Sequence, residues 1–218
     1  MAHLSSIMPD QPDLFVHSPP IPPGFAYGEE IISPAEEAAA VAEFQRLPFE
    51  PFQFHQYTGN RRIVSFGWRY DYAGRALRPS DPIPDFMLPL REKAARFGGV
   101  PAEALQQILV TEYAPGAGIG WHRDKPVFRD VIALSFLSPC TLRLRRRDGE
   151  FWRRFSRAVA PRSAYILRGA ARQEWEHSVP ALTTLRYALT FRNFELGRNV
   201  EPDRERTAPD QPSRKSAI

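Results

Sequence analysis

The stretch GIGWHRDKP, residues 118–126, sets a histidine and an aspartate two positions apart beside a glycine-rich turn. On a strand, residues i and i+2 project to the same face. His122 and Asp124 are therefore predicted to offer an imidazole and a carboxylate to one ion while Arg123 points away. An H-x-D pair is common enough by chance to carry little alone. A third donor stands in EWEHSVP, where His177 follows the strand-like SAYILRG. Two histidines and one carboxylate make a facial triad, which leaves positions open on iron(II) for a chelating cosubstrate and O2. A closed structural zinc site would need a fourth protein ligand, and none is identifiable. His3, His17 and His55 are poor candidates, the first two because they lie in the irregular start of the chain.

RYALTFR begins nine residues after His177. Strand alternation sends Arg186, Ala188, Thr190 and Arg192 to one face and Tyr187, Leu189 and Phe191 to the other. Two arginines turned into a core must be compensated by protein carboxylates or by an anionic ligand, because an unpaired buried guanidinium is strongly unfavourable. A planar guanidinium suits bidentate carboxylate recognition, so a dicarboxylate beside a metal would account for both arginines. A network of protein ion pairs is the competing explanation.

The elements that must position these groups divide by pattern. SPAEEAAAVAEFQRL predicts a helix with Ser33 as N-cap, Pro34 in the first turn and Glu36 three after the cap, with Val41 and Phe44 on one face. A second helix is predicted from about 84 to 97, ended by Gly98 and Gly99, with Pro89 delaying its regular start. From about residue 105 the pattern changes to QILVTEY, DVIALSFL, CTLRLRRR, EFWRRFSRAV, SAYILRG and TLRYALTFRNF, short segments separated by turn signals. This predicts an α+β, mainly β fold: an antiparallel sandwich or barrel packed against an N-terminal helical layer. Asp148-Gly149 marks a hairpin turn. Residues 1–23, rich in proline, and residues 198–218 read as mobile ends around one domain over 24–197.

Composition excludes several classes. A lone cysteine, Cys140, rules out an internal disulfide framework, and no apolar run reaches the length of a membrane span. The start lacks the pattern of a secretory signal, which predicts a cytoplasmic protein; a monomer with no membrane partner is the accompanying expectation. The net charge is +4, with only three lysines among 29 basic residues. Arg143, Arg145, Arg146, Arg147, Arg153, Arg154 and Arg157 crowd a single hairpin sequence, the footprint of a polyanion partner or else a solvated hairpin face. Alternation places Arg143, Arg145 and Arg147 on one face and turns Leu142 and Leu144 to the core.

Taken in order, EYAPGAGIGWHRD, His177 and RYALTFR resemble the AlkB-like Fe(II)/2-oxoglutarate dioxygenases, closely over about 105–194 and more loosely back to about 60. The resemblance implies a double-stranded β-helix, or jelly roll, with the N-terminal helices packed on the sheet. It makes His122, Asp124 and His177 the iron ligands and Arg186 the partner of the distal 2-oxoglutarate carboxylate. Tyr113 becomes a hydrogen-bonding neighbour of that carboxylate, and Arg192 the second arginine, nearer the chelating end. Ala188 and Thr111 stand where the family often has asparagine, and Pro126 and Val127 replace an acidic pair of some DNA-repair members. The implied reaction couples oxidative decarboxylation of 2-oxoglutarate by O2 to C–H hydroxylation, which on an N-methyl group releases formaldehyde.

The same family places a variable nucleotide-recognition lid over GNRRIVSFGWRYDY, residues 59–72. Arg61, Arg62 and Arg69 could meet phosphate, while Phe66, Trp68, Tyr70 and Tyr72 could share a strand face on which a base stacks. Plain packing between helix and sheet would also explain the aromatics. With Arg145 and Arg147 of the hairpin, Arg61, Arg62, Trp68, Arg69 and Tyr70 are the candidate substrate contacts for alkylated DNA or RNA. Two alternatives stay open: a hydroxylase or demethylase of a protein side chain or small metabolite, and a catalytically silent nucleic-acid-binding module.

Overall fold

Ser33 caps the first helix as its sequence dictates, accepting from the Glu36 N–H while the Glu36 carboxylate accepts from the Ser33 N–H. The structure is a computed structural model that describes residues 20–54, 57–71, 74 and 76–194. In chain order the elements are β1 (Phe25–Gly28), α1 (Pro34–Phe44), β2 (Glu50–Phe54), β3 (Tyr57–Phe66), β4 (Trp68–Asp71) and β5 (Ala76–Pro79). Then come α2 (Leu88–Gly98), β6 (Gln107–Tyr113), β7 (Ile119–His122), β8 (Phe128–Phe136), β9 (Cys140–Asp148) and β10 (Phe151–Val159). The chain continues through β11 (Ala164–Leu167), α3 (Gly169–Gln173), β12 (Glu176–Val179) and β13 (Arg186–Phe194).

A 3-10 turn over Asp85–Met87 precedes α2, Pro89 sits in the helix's first turn, and the helix stops at Gly99, whose φ of 62° is the left-handed cap. Gly98 is thus the last helical residue. No helix among the described residues is long and apolar enough to cross a membrane. The mobile ends expected at 1–23 and 198–218 lie outside the described residues, except for 20–23. There the Pro23 carbonyl already accepts from the Ala171 N–H at 2.8 Å.

Two antiparallel sheets carry the fold. One has seven strands in the order β1-β11-β8-β13-β6-β3-β2, and the other has four in the order β10-β9-β12-β7. Between them lies an apolar layer in which Val131 and Leu167 of the first sheet meet Leu142, Leu144 and Val179 of the second. Behind the first sheet, Phe44 of α1 and Leu90 and Ala94 of α2 share a second cluster with Ile132, Leu134, Leu189 and Phe191. Regular alternation in β13 makes this division: Tyr187, Leu189 and Phe191 serve the helical side, and the alternate residues face the other sheet. The hairpin β9–β10 turns through Gly149, at φ 58°, and Glu150, because Asp148 still pairs with Phe151. The turn is therefore one residue later than the Asp148-Gly149 reading.

Candidate active site

His122 ends β7 and His177 lies in β12, and the two are direct cross-strand partners with ring centroids 4.2 Å apart. The sheet register delivers this meeting. β12 is held between β7 and β9, with His177 opposite Leu144 on its other flank. Asp124 arrives differently. β7 stops at His122, so the carboxylate sits in the following loop rather than on the strand face that alternation predicted. It is fixed there by Arg192, whose Nη2 donates to Asp124 Oδ1 at 2.8 Å while Nη1 donates to Gln107 Oε1 at 2.8 Å. Glycine is needed at 118 for a different reason: a Cβ there would come within 2.8 Å of the Val179 carbonyl and 2.9 Å of the Ala181 nitrogen. That close approach lets the two histidine strands meet.

Among the described residues no three His, Cys, Asp or Glu side chains are drawn into a ready-made metal cage. The three predicted donors converge more openly, with His177 Nε2 3.8 Å from Asp124 Oδ2. That oxygen is buried and has no hydrogen-bond partner. His122 Nδ1 lies 2.8 Å from the Gly120 carbonyl; donation there leaves Nε2 as the ring's free lone pair. Burial pushes His177 down to about 3, with His122 adding to the effect, and burial also lowers His122. Burial would raise Asp124, yet Arg192, then His177 and His122, hold its carboxyl well below the usual range. Neutral imidazoles and an ionised carboxylate with an orphaned oxygen are the donor states a divalent cation takes.

On the neighbouring strands Arg186 pairs across β13–β6 with Tyr113, and Ala188 with Thr111. Arg186 is only 2% exposed, yet no carboxylate of the described residues pairs with it. Its Nη2 donates to Ser135 Oγ at 3.0 Å and its Nε has no partner. Tyr113, over whose ring the guanidinium lies at 5.3 Å, has its phenol pushed up by burial. Burial likewise raises Tyr165, which feels the Arg186 charge. Of the two compensations foreseen for inward arginines, Arg192 takes the protein carboxylate and Arg186 lacks one. Ser135 and Gln107 are partners that sequence reasoning missed, since neither residue type stands in a motif. The only signal was position, on strands flanking β13.

A cleft of about 750 Å³ opens beside Asp124 and Arg192, lined also by Gln107, Leu109, Arg69 and Tyr70. Tyr70 receives the Lys125 ammonium over its ring at 5.1 Å. Arg61 lies close enough to bear electrostatically on both His122 and Tyr113. Arg62 does not join them; it makes a two-pronged ion pair with buried Glu112, at 2.7 and 2.9 Å, which also accepts from Tyr187. The shared aromatic face fails at Gly67, whose φ of 73° breaks the strand. Phe66 enters the helical core, and Trp68 packs edge-on against Phe194 at 5.8 Å. Tyr72 lies outside the described residues.

Comparison with known proteins bears on the family and the fold. The family model of the 2OG-Fe(II) oxygenase superfamily matches residues 30–192. "Alkylated DNA repair protein ALKBH8 homolog" of Arabidopsis thaliana is 28% identical over 144 residues, covering 55% of this chain and 42% of the relative. "Probable RNA/DNA demethylase ALKBH6" of Danio rerio is 30% identical over 121 residues, 56% of this chain and 49% of the relative. The chain thus spans about half the length of these curated relatives, or less. The solved structure of OsALKBH1 superposes with a TM-score of 0.62 at 16% identity, over 79% of this chain and 98% of that one, which shows the shared jelly-roll fold. The chain belongs to the 2OG-Fe(II) oxygenase superfamily, as an AlkB-like dioxygenase of the kind that uses Fe(II), 2-oxoglutarate and O2.

Proposed function

We propose that this enzyme oxidatively demethylates alkylated nucleic-acid bases, with His122, Asp124 and His177 holding Fe(II). The observation that carries the site is Arg186: a guanidinium buried between Tyr113 and Ser135 without a protein carboxylate. Such a group calls for an anionic ligand, and the distal carboxylate of 2-oxoglutarate supplies one. Arg192 holds Asp124 and lies nearer the metal-chelating end. With iron and cosubstrate bound, O2 is reduced and a substrate C–H bond is hydroxylated. This chain's residues position the reacting groups and shield them: His122 and His177 enter as neutral donors, and Asp124 stays ionised through Arg192.

The substrate assignment rests on the relatives, whose names record alkylated-DNA repair and RNA/DNA demethylation, and on the cleft. Asp124 forms part of its wall together with Tyr70 and Arg69, an aromatic face and a cation beside the reaction centre. A base must leave its stack to reach that depth, and an aromatic wall offsets part of the unstacking cost. The test is formaldehyde release from N-methylated oligonucleotides set against N-methylated peptides, both with 2-oxoglutarate and iron. Release from the oligonucleotides is expected. Release from peptides alone would move the function to protein demethylation, and 2-oxoglutarate-independent binding without turnover would leave a silent binding module.

A further inference from the structure

We propose that the outer face of the four-stranded sheet, behind the histidine strands, docks the backbone of a single nucleic-acid strand. This rests on the nucleic-acid reading above and adds a surface distinct from the cleft. Sheet register puts Leu144 and His177 on the inner face, so Arg143, Arg145 and Arg147 share the outer one with Glu176 and Ser178. Two indoles interleave with these arginines. Arg145 lies 4.3 Å over the rings of both Trp121 and Trp152, Arg143 lies 5.1 Å from Trp121, and Arg147 lies 5.2 Å from Trp152. The row runs Arg143, Trp121, Arg145, Trp152, Arg147 across the sheet.

Charge on this row is only partly compensated. Arg145 pairs with Glu176 at 2.7 Å, but among the described residues Arg143 donates only to the Ser178 hydroxyl and Arg147 only to the Glu150 carbonyl. Arg154, the cross-strand partner of Arg145, has no ion-pair partner among the described residues. The row borders a groove of about 510 Å³ lined also by Arg123 and Arg146 and by the carboxylates of Asp148, Glu174 and Glu176. At the hairpin tip Phe151, the partner of Asp148 and so on the opposite face from Trp152 and Arg147, is 78% exposed. Guanidiniums held over indole rings still have N–H groups to give phosphate oxygens, and an exposed aromatic at the hairpin tip can take an unpaired base from a strand that turns over the hairpin edge. A stiff duplex laid along the row could not also turn over the hairpin edge to Phe151, whereas a flexible single strand can.

The experiment measures binding of the full chain to fluorescein-labelled oligo(dT), which needs no chemistry, across a salt series. The test variant is Arg147→Gln with Arg154→Gln, two exposed positions whose loss should leave the thermal midpoint unchanged. Each phosphate contact to a single strand contributes about 0.7 to the log–log salt slope, so the double variant should flatten it by roughly 1.4 and weaken binding on the order of tenfold at about 0.1 M salt. Phe151→Ala should weaken oligo(dT) more than a duplex of equal length. Wild-type affinity and salt slope in the double variant would overturn the proposal, as would failure of the wild type to bind oligo(dT). Equal binding of polyglutamate, lost in the same variant, would overturn it in favour of an acidic protein. A chain that docks oligo(dT) as described yet releases no formaldehyde from methylated oligonucleotides contradicts the demethylase reading and leaves this surface standing.

Discussion

Arg192 Nη2 stands 2.8 Å from Asp124 Oδ1, and each side chain is only 9% exposed. The ion pair therefore does two things: it keeps a buried carboxylate ionised, and it ties the loop that follows one histidine strand to β13 of the facing sheet. Removing one partner of a buried pair strands the other charge. Arg192→Met should cost about 3–5 kcal/mol of unfolding free energy, while Arg192→Met combined with Asp124→Leu should recover much of the loss. Urea unfolding of both variants checks this. A single substitution costing less than about 1 kcal/mol would mean the pair is solvated and does not set the loop.

Arg186 should govern cosubstrate affinity rather than folding. Arg186→Lys keeps the charge but loses the planar fork, forfeiting a charged hydrogen bond worth about 1.5–3 kcal/mol. The apparent KM for 2-oxoglutarate should rise roughly tenfold or more, with a smaller change in kcat. An unchanged KM would assign Arg186 to the protein interior alone.

Gly118→Ala should disturb the histidines without touching either. The added Cβ would meet rigid backbone at Val179, Pro180 and Ala181, 2.8 to 2.9 Å away, so β7 and β12 would have to separate. A loss of about 1–3 kcal/mol in stability is expected, together with weaker iron binding. Wild-type iron affinity in this variant would show that the close approach of the two segments is dispensable for the site.

These residues also show where sequence sufficed. β13 pairs regularly with β6 from Arg186 to Arg192, so alternation placed these two arginines inward and Tyr187 outward to the helices. The cap at Ser33 and the stop at Gly99 were likewise legible, because capping chemistry is local. Legibility failed wherever tertiary contacts decide. Asp124 lies beyond the strand end, and its position depends on Arg192, 68 residues later. Gly67 broke the aromatic alternation with a left-handed φ, and Arg62 was claimed by Glu112, 50 residues away. The short strands β1 and β2 carry too little periodicity to be seen.

The first helix gives a pH test with a definite sign. The Glu36 carboxyl is lowered from 4.5, chiefly by the Ser33 backbone N–H and then by Lys93. Its stabilisation is therefore fully present above the unfolded value and is lost as pH falls through the lower, folded one. The unfolding free energies of wild type and Glu36→Gln should differ at neutral pH and converge in acid. Parallel profiles would show that the capping box adds nothing through its charge.

Iron binding at His122, Asp124 and His177 is tested most directly by anaerobic titration of Fe(II) with 2-oxoglutarate present, followed by the visible absorption of the chelate. Wild type should saturate at about one iron per chain. Asp124→Asn, which can still accept from Arg192, and His177→Ala should remain folded by circular dichroism and lose the absorption. Titration of folded Asp124→Asn and His177→Ala with wild-type affinity and intensity would contradict the assignment.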